Sequence, residues 1–274
     1  MRKLSFNYEM KLTFSGPVTE HRFQLRCIPA TRARQQVIDV LLKVEPTCHL
    51  DMMVDSFGSV VATGYLPEPH NSFSYSVIGI AFVDVANAKS DASKPLYRYD
   101  TELTSPGPSL HALINTCKER VDALGPNARV LTRAQEVMHC VFTAFTYKPG
   151  TTTIDTTAEE ALAQGCGVCQ DYAHVMLTVC RHVGLTARYI AGMLDGEGAT
   201  HAWVEVYDER GVWVGLDPTH DRLAGDTYIV IAHGRDYRDT KIDIGIFTGA
   251  GVNQTQWLMP LYTNLENSLV LYTQ

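Results

Sequence analysis

Three residue types that together activate a thiol stand in order along the chain. Cys169 lies in Gly165-Cys166-Gly167-Val168-Cys169-Gln170-Asp171-Tyr172-Ala173-His174, His201 in His201-Ala202-Trp203, and Asp217 in Asp217-Pro218-Thr219. A cysteine nucleophile needs a base to take its proton and a third group to orient that base, and these are the parts. The glycine-punctuated loop passes into a helix at Cys169, where the unpaired N–H groups and positive dipole end of the first turn favour thiolate over thiol. Singly, each residue has an ordinary explanation: free cysteine packs as a small apolar side chain, histidine can sit satisfied in a core, and aspartate before proline forms turns. Their conjunction points to chemistry.

The other cysteine chemistries fit less well. Cys166-x-x-Cys169 has the spacing of a redox pair, but such a site follows a strand in a βαβ unit, whereas a capped helix precedes this one. Zinc binding there lacks a second close ligand pair, so no metal or cofactor is expected and Cys166 reads as a bystander. His21, His49 and His70 lie in or beside turns without ligand spacing and are expected at the surface.

The elements that must position the three residues can be read from periodicity. Thr157 with Glu160 forms a capping box, so a short helix should run from Ala158 to about Gln164. After the loop, Gln170, Asp171, His174, Thr178, Arg181 and His182 share one side of a helix whose remaining circumference is apolar, and Gly184 ends it. Cys169 therefore stands on a buried, rigid support. Strands follow at Ala187 to Met193, His201 to Tyr207, Val212 to Asp217 and Thr227 to Ala232, with apolar runs at Ile242 to Phe247, Trp257 to Leu261 and Leu269 to Tyr272.

The hairpin between His201 and Asp217 decides whether they meet. A two-residue loop would send Asp217 to the face opposite His201. A three-residue loop with Gly211 left-handed pairs Asp208 with Val212 and Trp203 with Asp217, and glycine occupies the place that loop needs. Asp217 is then the diagonal same-face neighbour of His201, roughly 7–8 Å away along the backbone and within side-chain reach.

Upstream, Leu4, Phe6, Tyr8, Met10, Leu12 and Phe14 alternate with polar residues, and further strand signals at Phe23 to Cys27, 37–44, 52–54, 60–63 and 73–85 are separated by turns. Residues 1–86 thus read as an all-β sandwich domain. Residues 87–108 carry Pro, Ser and Gly without periodicity and read as a linker. Helices are expected from Ser109, stopping at Gly125-Pro126, and from a Thr132/Gln135 capping box onward. Helices followed by strands with short connections make 109–274 an α+β domain on an antiparallel sheet.

With 45% hydrophobic and 19% charged residues the 274-residue chain has the composition of a folded protein, and its net charge of −7 disfavours nucleic acid or an anionic membrane as partner. Seven scattered cysteines argue against a secreted disulfide framework and for a reducing, cytoplasmic setting. No signal peptide is visible, and no apolar run approaches the about 18 residues of a membrane span.

These segments resemble the transglutaminase-like superfamily of papain-type cysteine enzymes, in its bacterial cysteine protease branch. Gly167 to His174 is similar to the family's nucleophile segment, His201 to Val206 to its histidine strand and Gly215 to Thr219 to its aspartate strand. Phe145-Thr146-Tyr147 and Gly234-Arg235-Asp236-Tyr237 resemble further segments of the bacterial branch, and the first 90 residues its β-rich N-terminal domain. The resemblance implies a papain-like catalytic domain with Cys169 as nucleophile, His201 as general base and acid, and Asp217 as the orienting carboxylate. It implies a thioester from a protein or peptide substrate, resolved by water or by an amine. The Cys169 N–H is a natural oxyanion donor, with Gln164 or Tyr147 as second. A catalytically silent binding module of the same fold is the reading from another class. Trp203, on the triad face of its strand, is expected to pack.

Overall fold

The computed structural model describes residues 1–196, 198–249, 251–258 and 262–265. The first strand, β1 (Arg2–Ile28), is one uninterrupted element. It is followed by β2 (Gln35–Glu45), β3 (Leu50–Val54), β4 (Val60–Leu66) and β5 (His70–Val83). The two expected faces come from a single bent sheet. The N-terminal half of β1 pairs with β5 and its C-terminal half with β4, with a register shift between Thr13 and Val18. Leu4, Phe6, Tyr8, Met10, Leu12 and Phe14 turn inward as their alternation requires, and beyond the irregularity Phe23, Leu25 and Cys27 do so too. Phe23 and Phe73 close this core with ring centroids 4.6 Å apart. His21, expected at the surface, is buried among Phe14, Phe23 and Phe73, with its Nδ1 3.1 Å from His70 Nε2. Turn proximity misled there because the β1 irregularity points the ring inward.

The helical layer comprises α1 (Pro108–Ala123) and α2 (Val130–Ala144), then β6 (Thr146–Tyr147), α3 (Ala158–Gln164), β7 (Cys166–Gly167) and α4 (Cys169–His182). The Thr157/Glu160 capping box forms in both directions, and Gly165, left-handed at φ 74°, ends α3. The Thr132/Gln135 box does not: α2 begins two residues earlier, where the Val130 N–H donates to Glu209 of the later hairpin. A carboxylate brought in by the tertiary fold took the capping role.

Five strands make the second sheet: β8 (Ala187–Leu194), β9 (Thr200–Tyr207), β10 (Trp213–Asp217), β11 (Arg222–Leu223) and β12 (Tyr228–Gly234), in the order β11-β10-β9-β8-β12. Every pairing in it is antiparallel. Ala202, Val204 and Val206 share a core with α4, while Trp203 packs with Ile190, Tyr228 and Val230 in a second cluster. The chain then returns to the first sheet, where β13 (Asp243–Thr248), β14 (Gln254–Leu258) and β15 (Tyr262–Leu265) all pair with β1. The apolar run at 269–272 lies outside the described residues, as does part of the one at 257–261. The N-terminal sheet is thus built from both ends of the described chain. Among the described residues no helix is long and apolar enough to cross a membrane.

Candidate active site

Cys169 is the first residue of α4, and its approach is clamped from below. β6 and β7 pair in parallel, Thr146 with Cys166 and Tyr147 with Gly167, and the Lys148 N–H donates to the Gly167 carbonyl at 2.9 Å. Asp171, buried two residues on in the same turn, accepts from the Val168 N–H and from the Thr152 hydroxyl, both at 2.7 Å. A Cβ on Gly167 would lie 2.6 Å from that carboxylate, so the loop closes over Asp171 only because glycine is there. Tyr172 donates to the Phe145 carbonyl and stacks on its ring at 4.1 Å. The thiol's backbone is therefore fixed before any partner is considered.

The histidine and the aspartate come together through the hairpin. Gly211 is left-handed at φ 76°, the Asp208 N–H donates to the Val212 carbonyl, and Trp213 pairs with Tyr207. This is the three-residue loop expected above, and it places Asp217 diagonally from His201. The His201 Nε2 lies 2.8 Å from Asp217 Oδ2. With Nε2 so engaged, Nδ1 is the ring's other nitrogen, and the Cys169 thiol is its second hydrogen-bonding partner. All three residues singled out from the sequence thus converge.

Their electrostatics follow from that contact. Burial works against a charge on His201, but hydrogen bonds and charges from Asp217 and Cys169 outweigh it and push the imidazole up to about 10. Burial likewise opposes ionisation of Asp217, yet His201, His220 and Tyr228 hold its carboxyl down at about 2. Asp217 Oδ2 accepts from His220 Nδ1 and from the Tyr228 hydroxyl, each at 2.8 Å, and Oδ1 accepts from the Thr219 N–H at 3.0 Å. His220 and Tyr228 were not singled out from sequence. The first was legible in Asp217-Pro218-Thr219-His220, a turn that folds its fourth residue back; the second lies on a strand not adjacent to β10.

Trp203 packs, as expected. It is fully buried, lies 6.2 Å from the His201 ring and meets Tyr228 edge-on at 5.3 Å. Of the two expected second oxyanion donors, the Gln164 amide is already engaged by the Thr151 carbonyl at 3.2 Å and by Cys166 Sγ at 3.4 Å. Tyr147 is half exposed beside Gly167. The Cys166 thiol is partly buried and held below its ordinary value by hydrogen bonds from Gln164 and Thr151.

On the same face of β9, Glu205 is buried between two guanidiniums. Its Oε2 accepts from Arg188 Nε at 2.9 Å and Nη2 at 2.7 Å, and its Oε1 lies 3.4 Å from Arg34 Nη1. Arg188 in turn covers Trp213, 4.0 Å from its ring centroid. Arg34 belongs to the N-terminal part of the chain, so this cluster ties the two sheets together behind Trp203.

Residues 118–218 match the transglutaminase-like superfamily, a span that contains Cys169, His201 and Asp217. Residues 4–81 match the bacterial transglutaminase-like N-terminal region. An uncharacterized protein of Mycobacterium leprae is 29% identical over 265 residues, covering 87% of this chain and 90% of that protein. Other mycobacterial relatives are matched over only 42% of their own length. A protein-glutamine gamma-glutamyltransferase of Pseudomonas aeruginosa is 33% identical over 107 residues, 35% of this chain and 16% of that protein. A crystal structure from Cytophaga hutchinsonii, described provisionally as a cysteine protease, superposes with a TM-score of 0.75 over 98% of this chain and 92% of its own. At 19% identity that likeness establishes the fold.

Proposed function

The chain belongs to the transglutaminase-like superfamily, and from that premise we propose that it is a thiol-dependent amide hydrolase, a peptidase working through a Cys169-His201-Asp217 triad and a thioester. The supporting observation is the His201 imidazole held at 2.8 Å by buried Asp217, with the Cys169 thiol as its other partner. An imidazole held in its charged form beside a thiol favours thiolate. The thiolate attacks the amide carbonyl, and the oxyanion forms beside the Cys169 N–H, which has no acceptor within the first turn of α4. His201 gives its Nδ1 proton to the departing amine, leaving an S-acyl bond to Cys169. It then takes a proton from water, whose oxygen releases the acid and regenerates the thiol.

An amine could replace water in the second step, and the relative named as a glutamine gamma-glutamyltransferase is what favours that reading. Hydrolysis is our choice because water is always present, whereas transfer requires a site that excludes it. In this reading the substrate is a protein or peptide, neither nucleic acid nor membrane is a partner, and no cofactor takes part. The division into a β domain over 1–86, a linker over 87–108 and a catalytic domain over 109–274 belongs to the same proposal, with the qualification that β13, β14 and β15 of the last stretch pair with β1 and so complete the first sheet. So does a cytoplasmic setting, which the seven thiols support. The test is incubation with a glutamine-containing peptide library, with and without a labelled primary amine. Cleaved or deamidated products formed with wild type and not with Cys169→Ala support hydrolysis; amine incorporation as the main product favours transfer; no thioester in either case overturns both.

A further inference from the structure

Asp217 Oδ2 is the meeting point of more groups than a triad uses. Its neighbours His201 Nε2 and His220 Nδ1 each lie 2.8 Å away, and these ligand-capable atoms all fall within 4.8 Å of one another. We propose that His201, Asp217 and His220 form a binding site for a divalent transition metal of the zinc class, and that an ion there switches off the thiol chemistry. The proposal deepens the reading of the site as a cysteine triad.

Two imidazole nitrogens and one carboxylate oxygen are a zinc or cobalt set, not one for magnesium or calcium, which take oxygen ligands. Three protein ligands leave the fourth tetrahedral position for water. Zinc-ligand bonds of about 2.0–2.1 Å place tetrahedral ligand atoms about 3.3 Å apart, so the 2.8 Å hydrogen bonds must open by about half an ångström. His220, in the turn after β10 and 35% exposed, makes its part of that movement freely, while the His201–Asp217 contact must widen within the buried site. The carboxylate is already oriented from behind by the Tyr228 hydroxyl and the Thr219 N–H, the outer support a metal ligand needs. Arg222, which donates to the Tyr228 oxygen at 2.8 Å, opposes the added charge from one hydrogen bond further away.

On binding, the proton between His201 Nε2 and Asp217 leaves to solvent, and the His220 proton moves from Nδ1 to Nε2 through water. His201 then carries its remaining proton on Nδ1, facing Cys169. With Nε2 on the metal the ring is no longer an imidazolium, and giving its Nδ1 proton to the leaving amine would leave a metal-bound imidazolate, so the acid step stops.

The experiment adds Co²⁺, then competing Zn²⁺, to the full chain and follows cobalt d–d absorption and the thermal midpoint, with no substrate present. Expected are saturable binding with tetrahedral bands, no thiolate-to-cobalt charge-transfer band, and retention of both features in Cys169→Ser. His220→Asn keeps a donor for Asp217 but no imidazole, and should weaken binding by on the order of 10-fold or more. In wild type, Zn²⁺ should slow alkylation of Cys169, and a chelator should restore it. No saturable binding overturns the proposal. So does a charge-transfer band that disappears in Cys169→Ser while His220→Asn binds normally, because the ion then sits on the thiolate. Binding is read without turnover, so an inactive chain leaves it testable, and a chain that binds no metal leaves the triad standing.

Discussion

His201 and Asp217 meet through one oxygen: Nε2 lies 2.8 Å from Oδ2, which also receives His220 and Tyr228. That contact exists because Gly211 sets the register of the β9–β10 hairpin and because both side chains are buried together.

Asp217 should matter to chemistry and stability separately. Asp217→Asn keeps the shape but removes the charge that stabilises the imidazolium, and kcat/KM should fall by roughly 10³-fold or more. Asp217→Ala strands the buried donors of His201 and Tyr228 without an acceptor, and urea denaturation should show a loss of about 3–5 kcal/mol. Equal activity in wild type and Asp217→Asn would remove the carboxylate from the reaction.

The pH dependence has a defined sign. His201 titrates near about 6.5 when unfolded and at about 10 in the fold. Its contribution to stability is complete below about 6.5 and is lost as pH rises through 10. Asp217 goes the other way: its contribution is complete above its unfolded value of about 3.9 and is lost as pH falls through about 2. Activity should show an alkaline limb near 10 as the imidazolium is lost. A limb centred near about 6.5, where an unperturbed imidazole titrates, would contradict this.

Two glycines near the site should respond differently to alanine. Gly211 is left-handed, and a Cβ there would stand 3.3 Å from the Tyr207 hydroxyl at the end of its side chain, so Gly211→Ala should cost about 1 kcal/mol, mainly through backbone strain. A Cβ on Gly192 would stand 2.3 Å from both the Ile229 carbonyl oxygen and the Trp203 ring, so Gly192→Ala should cost about 3 kcal/mol and displace the indole that backs His201. Thermal midpoints and kcat/KM of both variants check the order; a harmless Gly192→Ala would mean that the sheet is looser there than its packing implies.

Glu205→Gln separates support from chemistry. It leaves buried Arg34 without its 3.4 Å counter-charge and Arg188 with only Asp91 at 3.8 Å, and stability should drop by about 3–5 kcal/mol. The alkylation rate of Cys169, measured under conditions where the variant remains folded, should stay near wild type, because Glu205 has no bond to the triad.

What was legible in the sequence was local. The Thr157/Glu160 box, the Gly211 turn and the apolar circumference of α4 involve neighbours in the chain, and each specified its geometry. The β1 alternation announced a strand, but its irregularity, which turns His21 inward, leaves no periodic signature. The start of α2 depends on Glu209 and the buried charge cluster on Arg34 meeting Glu205, contacts between segments far apart in sequence. Tyr228 reaches Asp217 from β12, which sits beside β8, and only the strand order could have revealed it.

The most direct measurement is the rate of iodoacetamide alkylation at each cysteine, read by peptide mass in wild type, Cys169→Ala, Cys166→Ala and Asp217→Asn. Burial protects Cys27, Cys117, Cys140 and Cys180, so the contest lies between the activated thiol and the two other partly buried cysteines, Cys48 and its neighbour Cys166. Cys169 should label far faster than the rest, lose that advantage in Asp217→Asn and keep it in Cys166→Ala. Fast labelling that stays on Cys166 and ignores Asp217 would contradict the triad.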